Sequence, residues 1–116
     1  STLRMWWSED RDRVCSLYGN VLRLAGEAPE RCTSEIAKKI LALLFETDAM
    51  WAIIPIQDYL AIDDDMAAKD FMSERINYPD NPNHTWSYRL HLPLEEILRK
   101  NTFNTTLGEL IKNSGR

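Results

Sequence analysis

The feature that most constrains the fold is an apolar run at residues 50–58, which ends in Gln57 and Asp58. The run is rich in β-branched residues and shows no polar alternation, which predicts a strand buried on both faces, as in a parallel sheet between helices. Pro55 disfavours a central strand, because proline cannot donate to a hydrogen-bond ladder. Polar residues just past such a strand lie where α/β proteins bind ligands. The sequence therefore predicts one buried strand near residues 50–57, with Gln57 and Asp58 at its ligand-binding end.

The rest of the chain predicts helices and loops around that strand. Its 116 residues suffice for one domain, and 44% apolar and 28% charged residues are ordinary for a soluble globular protein. The net charge of −4 disfavours nucleic acid and anionic membranes as partners. No segment reaches the ~20 apolar residues of a membrane-spanning helix, and no signal peptide is visible. We expect a cytoplasmic location, and the missing starting Met suggests an excerpt of a longer chain.

No metal or cofactor site is predicted. Cys15 and Cys32 lack the spacing of metal ligands and are expected to be reduced thiols. The acidic residues 63–65 lack the glycine and the terminal glutamate of a calcium loop. We interpret them as the cap of a helix over residues 66–72.

Helical spacing and caps predict the other helices. Ser8 is expected to cap the first helix, and Thr33 or Ser34 the second. The predicted buried stripe of the second helix is Ile36, Ile40, Leu43 and Leu44. Pro93 opens a short helix, and a capping box at residues 106–109 opens the last one.

Residues 73–91 predict an ordered, turn-rich loop. Their prolines and asparagines exclude a long helix or strand. Tyr78, Trp86 and Tyr88 disfavour disorder, because such aromatic side chains need burial. A loop of this length in a compact domain is commonly functional.

Four segments carry a resemblance to a known family. They are residues 1–7, residues 54–60 (Ile-Pro-Ile-Gln-Asp-Tyr-Leu), residues 74–79 (Glu-Arg-Ile-Asn-Tyr-Pro) and residues 86–89 (Trp-Ser-Tyr-Arg). In this order they resemble the C-terminal end of the 4-α-glucanotransferases, also called amylomaltases or disproportionating enzymes. The longer spacing between the segments and the sequence Asn-Pro-Asn-His-Thr-Trp at residues 81–86 look more like the maltose-using type found in plant cytosol and some bacteria.

The resemblance implies that residues 1–116 are the C-terminal part of a (β/α)8 TIM barrel, an α/β fold. Within it would lie the helices after strand seven, strand eight near residues 50–57, a substrate-side loop at 73–91 and terminal helices. The family transfers 4-α-glucan units with retention, which needs two carboxyl groups about 5 Å apart. By resemblance these groups lie upstream, and a third acidic residue belongs to a His-Asp pair just before Ser1. We therefore expect no catalytic residue here and no transfer by this chain alone.

Three residues are candidates for substrate binding. Asn77 is the first choice for a direct sugar contact, because its amide donates and accepts at once; alternatively, it bonds its own backbone in a turn. Gln57 is expected to orient the sugar or a catalytic group. Asp58 is expected to bond sugar hydroxyls or to cap the turn at Tyr59.

Other residues of the loop are expected to support it. Arg75 and Arg89 are interpreted as clamps on carboxylates or carbonyls, since neutral glucans offer no anion. Trp86 is interpreted as a buried anchor in preference to a sugar-stacking residue.

The implied partners are α-1,4-glucan donors and acceptors and the remainder of the barrel. Two other hypotheses stay open from the sequence. The chain is compatible with a non-enzymatic helical interaction module with an aromatic docking loop, in which the apolar run is a buried helix. It is also compatible with an autonomous glucan-binding domain.

Overall fold

The computed structural model describes residues 2–116, so Ser1 of the resembling segment 1–7 lies outside it. Six α-helices are found in this range: α1 (Leu3–Glu9), α2 (Arg11–Ser16), α3 (Ser34–Phe45), α4 (Ile56–Leu60), α5 (Leu94–Arg99) and α6 (Asn101–Asn113). A π-helical turn at Leu17–Val21 continues α2, and a 3₁₀ turn at Phe71–Glu74 follows α4. All the regular structure of residues 2–116 is helical, and none of these helices is long and apolar enough to cross a membrane.

The predicted strand near residues 50–57 is wrong. Residues 50–55 have no regular structure. Met50, Trp51 and Ile53 are 89%, 73% and 85% exposed, so the run is not buried on both faces. A strand needs a neighbouring strand to pair its N–H and C=O groups, and residues 2–116 provide none.

The end of the apolar run is helical because of Pro55. Its backbone is extended, and its carbonyl accepts the first bonds of α4, from the N–H groups of Asp58 and Tyr59 at 3.0 and 3.3 Å. Proline is well tolerated at the start of a helix, where its missing N–H leaves nothing unpaired. Gln57 and Asp58 therefore lie in the first turn of a helix.

The helix starts near the N-terminus differ from the predicted ones. Ser8 does not cap a helix; it lies inside α1 and donates its hydroxyl to the Met5 carbonyl. Asp10 caps α2 instead, with its carboxylate 3.2 Å from the Arg13 N–H.

Helix α3 begins as predicted and buries a shifted stripe. The Thr33 hydroxyl accepts from the Ile36 N–H at 3.4 Å, which confirms the cap. The buried side chains are Ile36, Ala37, Ile40, Leu41 and Phe45. The prediction was wrong for Leu43 and Leu44, which are exposed.

Helix α3 contributes to both hydrophobic clusters of the described chain. The first cluster joins α3 to α4 and α6, and consists of Ala37, Leu41, Phe45, Leu60, Ala61, Ile62, Met66 and Phe103. The second joins α3 to α1 and α2, and consists of Trp7, Val14, Ala28, Ile36 and Ile40. Trp7 is fully buried, and its indole N–H donates to the Pro29 carbonyl at 2.9 Å.

Two further helix predictions fail. The capping box at residues 106–109 lies in the middle of α6, which begins at Asn101. The expected helix over 66–72 is absent; residues 63–65 form a turn in which the Asp63 carboxylate accepts from the Asp65 N–H. Pro93 does precede the short helix α5.

Candidate functional site

Gln57 is buried beneath the loop formed by residues 73–91. It is 1% exposed, and its amide Nε2 donates to the Glu74 carbonyl at 3.3 Å. The first turn of α4 thus holds the loop backbone at Glu74 by this hydrogen bond.

Asp58 lies partly buried beside the start of α1. Its Oδ1 accepts from the Leu3 N–H at 2.8 Å, one of the N–H groups that a helix leaves free at its first turn. Burial raises the pKa of the Asp58 carboxyl, and the bond from Leu3 opposes that rise. Asp58 caps α1, a helix 55 residues away in sequence, and not the nearby Tyr59 turn.

Asp58→Asn is expected to leave the free energy of unfolding at pH 7 unchanged or higher. The amide oxygen still accepts from Leu3 but carries no buried charge. Because the pKa in the folded state is raised above 3.8, stabilisation by the protonated form is lost as pH rises through that pKa. Urea unfolding between pH 4 and pH 7 should therefore show that acidification raises the free energy of unfolding less in the variant than in the wild type.

Asp58→Ala is the comparison for that substitution. It removes the acceptor and is expected to cost about 0.5–2 kcal/mol, as for other lost caps. An equal loss in Asp58→Asn would contradict the assigned role of the oxygen atom.

Glu74 is a buried acid that the sequence interpretation did not single out. It is 1% exposed. Its carboxylate lies 3.0 Å from the Arg4 guanidinium and accepts from the Thr2 hydroxyl at 3.4 Å. Burial raises the pKa of Glu74, while Arg4 lowers it. The sequence feature that could have identified Glu74 is its position as the first residue of the resembling segment at residues 74–79.

Arg4 connects α1 to the loop. Besides Glu74, its guanidinium donates to the Ala68 carbonyl at 2.9 Å and lies 5.7 Å from the centre of the Phe71 ring. The start of α1 is therefore held by two carboxylates, Asp58 at Leu3 and Glu74 at Thr2 and Arg4.

Asn77 is exposed on the loop. Its backbone carbonyl accepts from Arg75 Nε at 3.0 Å, and the Arg75 guanidinium lies 4.6 Å from the centre of the Tyr78 ring. The interpretation of Arg75 as a clamp on a carbonyl is confirmed. The bond from Arg75 thus fixes the backbone at Asn77, whose side chain is exposed.

A cavity of about 160 Å³ lies between the residues that precede α1 and α4 and the loop at residues 73–91. It is lined by Thr2, Pro55, Glu74, Arg75, Ile76 and Asn77. Of the three predicted binding residues, Asn77 lines it, whereas Gln57 contacts the Glu74 backbone behind it and Asp58 faces α1. Sugar binding by any of the three stays a prediction.

A larger cavity, of about 380 Å³, lies beside the acidic turn at residues 63–65. No group of His, Cys, Asp or Glu within residues 2–116 is arranged to hold a metal ion. Lys100 forms an ion pair with Asp65 at this turn. The acidic turn therefore has a structural partner.

The loop aromatics differ in burial. The hydroxyl of Tyr88 is buried without a hydrogen-bond partner among the described residues, and burial together with the charge of Glu74 raises its pKa. Trp86 is 76% exposed, so its interpretation as a buried anchor is wrong for this chain.

Comparison with known proteins decides the family. A family model described as 4-alpha-glucanotransferase matches residues 1–95, which include α1, α4 and the cavity with Asn77. The chain belongs to the 4-alpha-glucanotransferase family. The resemblance seen in the four segments is thereby confirmed.

The relatives found match the chain almost end to end. It is 42% identical over 116 residues to the 4-alpha-glucanotransferase DPE2 of rice, covering all of this chain and 12% of the relative. It is 35% identical over 113 residues to the 4-alpha-glucanotransferase of Chlamydia caviae, covering 94% of this chain and 20% of the relative. The chain thus spans only 12% to 20% of the length of these relatives. No solved structure matches it significantly.

Proposed function

We propose that this chain is part of an enzyme that transfers 4-α-glucan units between α-1,4-glucans with retention. The match of the family model to residues 1–95 is the observation that carries this proposal. The longer spacing between the resembling segments and the sequence at residues 81–86 favour the maltose-using type and a cytoplasmic location. A non-enzymatic helical interaction module gains no support from the family match.

We further propose that residues 1–116 are the C-terminal part of a (β/α)8 barrel. Exposure of Met50, Trp51 and Ile53 supports this, because exposed apolar clusters of this kind mark surfaces that are covered by other protein. In the whole enzyme, these side chains would be buried against barrel elements encoded outside this chain.

Within that barrel, Asn77 is proposed to contact the sugar directly. Its amide is exposed at the cavity and can donate to one hydroxyl and accept from another. Gln57 and Asp58 are proposed to form the wall behind it, Gln57 through Glu74 and Asp58 through α1. The two catalytic carboxyl groups would come from other parts of the enzyme, so the chain alone should not catalyse transfer.

Asn77→Ala in the full-length enzyme tests the proposed role. Each neutral hydrogen bond lost is worth about 1 kcal/mol, so kcat/KM for maltose disproportionation should fall about fivefold per bond. The rate is measured as glucose release from maltose.

Asn83→Ala is the matched control. Asn83 is an exposed asparagine of the same loop, and only its backbone N–H bonds within it, to the Asn81 side chain. We expect wild-type rates from this variant. Equal rates for both variants would overturn the role of Asn77, and absence of transfer by the wild type would overturn the proposed function.

A further inference from the structure

Trp86 is exposed because the chain turns sharply at this residue. Tyr88 and Leu90 are partly buried, and alternate residues of an extended segment share a face. Trp86 would face inward with them if the segment were straight. The Ser87 N–H donates to the Thr85 carbonyl at 2.8 Å, closing a three-residue turn with Trp86 at its centre. This turn interrupts the alternation and leaves the indole 76% exposed.

The loop beneath Trp86 is braced by contacts among its own residues. His84 Nε2 lies 2.7 Å from the Ile76 carbonyl oxygen, and the His84 and Tyr78 rings are 4.7 Å apart between centres. Arg75 covers the same tyrosine ring at 4.6 Å. Trp86 follows His84 by two residues, which span at most about 7 Å. The indole is therefore presented by a packed loop.

The same braced loop presents the amide of Asn77. Asn77 lies between Ile76 and Tyr78, the two residues that His84 contacts. An amide suits the hydroxyls at the edge of a sugar ring, and an indole offers a flat apolar surface to the C–H groups of its face. Within residues 2–116, the aromatic and cation–π pairs of this loop leave Trp86 unengaged.

We propose that Trp86 is an additional substrate-binding residue, which stacks on a sugar ring of an α-1,4-glucan that lies further along the glucan than the disaccharide held at Asn77. This inference rests on the proposed function and extends it to longer glucans. A disaccharide held at Asn77 fills fewer positions than a long glucan, so the contribution of Trp86 should grow with glucan length.

The test compares Trp86→Ala and Trp86→Phe in the full-length enzyme, with maltose and maltoheptaose as substrates. Trp86→Ala should raise KM for maltoheptaose about tenfold, with kcat and the KM for maltose little changed. Trp86→Phe retains an aromatic face and should restore most of the loss. Leu98→Ala, which alters an equally exposed apolar residue on α5 (75% exposed), should behave as wild type.

Tryptophan fluorescence supplies an independent readout. Maltoheptaose should change the emission of the wild type, and the change should be much smaller in Trp86→Phe. An unchanged KM for maltoheptaose in Trp86→Ala, or a KM in Trp86→Phe as high as that in Trp86→Ala, would overturn the proposal. The fluorescence titration measures maltoheptaose binding at Trp86 even if no transfer is detected. Failure of this inference is therefore distinguished from failure of the proposed function.

Discussion

Arg4→Met is expected to lower the free energy of unfolding of the chain by about 3–5 kcal/mol, the cost of leaving a buried charge without its partner. The Glu74 carboxylate is 1% exposed, and Arg4 is the cation in contact with it. Methionine keeps much of the length of the arginine side chain but neutralises no charge. Urea unfolding followed by circular dichroism measures the loss.

An exposed ion pair provides the control for that substitution. Lys38 and Glu35 are one turn apart on α3, and the Glu35 side chain is largely exposed. Lys38→Met should cost less than about 1 kcal/mol, because water screens such pairs. Glu74→Gln combined with Arg4→Met should recover part of the stability, since the buried charge is then gone. Similar losses from Arg4→Met and Lys38→Met would contradict the inferred burial of Glu74.

Trp7→Ala is expected to cost about 3–5 kcal/mol, as for other large-to-small substitutions in a core. Trp7 is fully buried, lies 6.5 Å from the ring centres of both Trp6 and Tyr18, and bonds the Pro29 carbonyl. Its removal leaves a cavity and takes away one of the two donors to the Pro29 carbonyl, which also accepts from Arg11. Thermal and urea unfolding of the chain should both report the change.

Trp51→Ala is the matched control for Trp7, since it removes the same side chain from a position that is 73% exposed. Its effect on the isolated chain should stay within about 0.5 kcal/mol. A loss comparable to that of Trp7→Ala would mean that residues 50–55 pack within this chain.

The correct predictions depended on neighbours in the sequence. Thr33 bonds a backbone group three residues away, and Pro93 opens α5 directly; both signals are local, so the residue types suffice. Arg75 likewise clamps a carbonyl two residues along the chain.

The missed features depend on residues far apart in the sequence. Asp58 bonds a residue 55 positions away, and Glu74 pairs with Arg4 across 70 positions. Nothing in the local pattern identifies such partners. The strand near residues 50–57 failed for a related reason: apolar β-branched residues form a strand only beside another strand, and the described chain supplies none.

Helix α3 determines how the chain loses its structure. Ile36 and Ile40 belong to one hydrophobic cluster, whereas Ala37, Leu41 and Phe45 belong to the other. Leu3 and Cys32 also pack against both clusters. Loss of either cluster therefore removes one face of α3 from its support and weakens the packing of the adjacent face. The two clusters should therefore share a single cooperative unfolding transition.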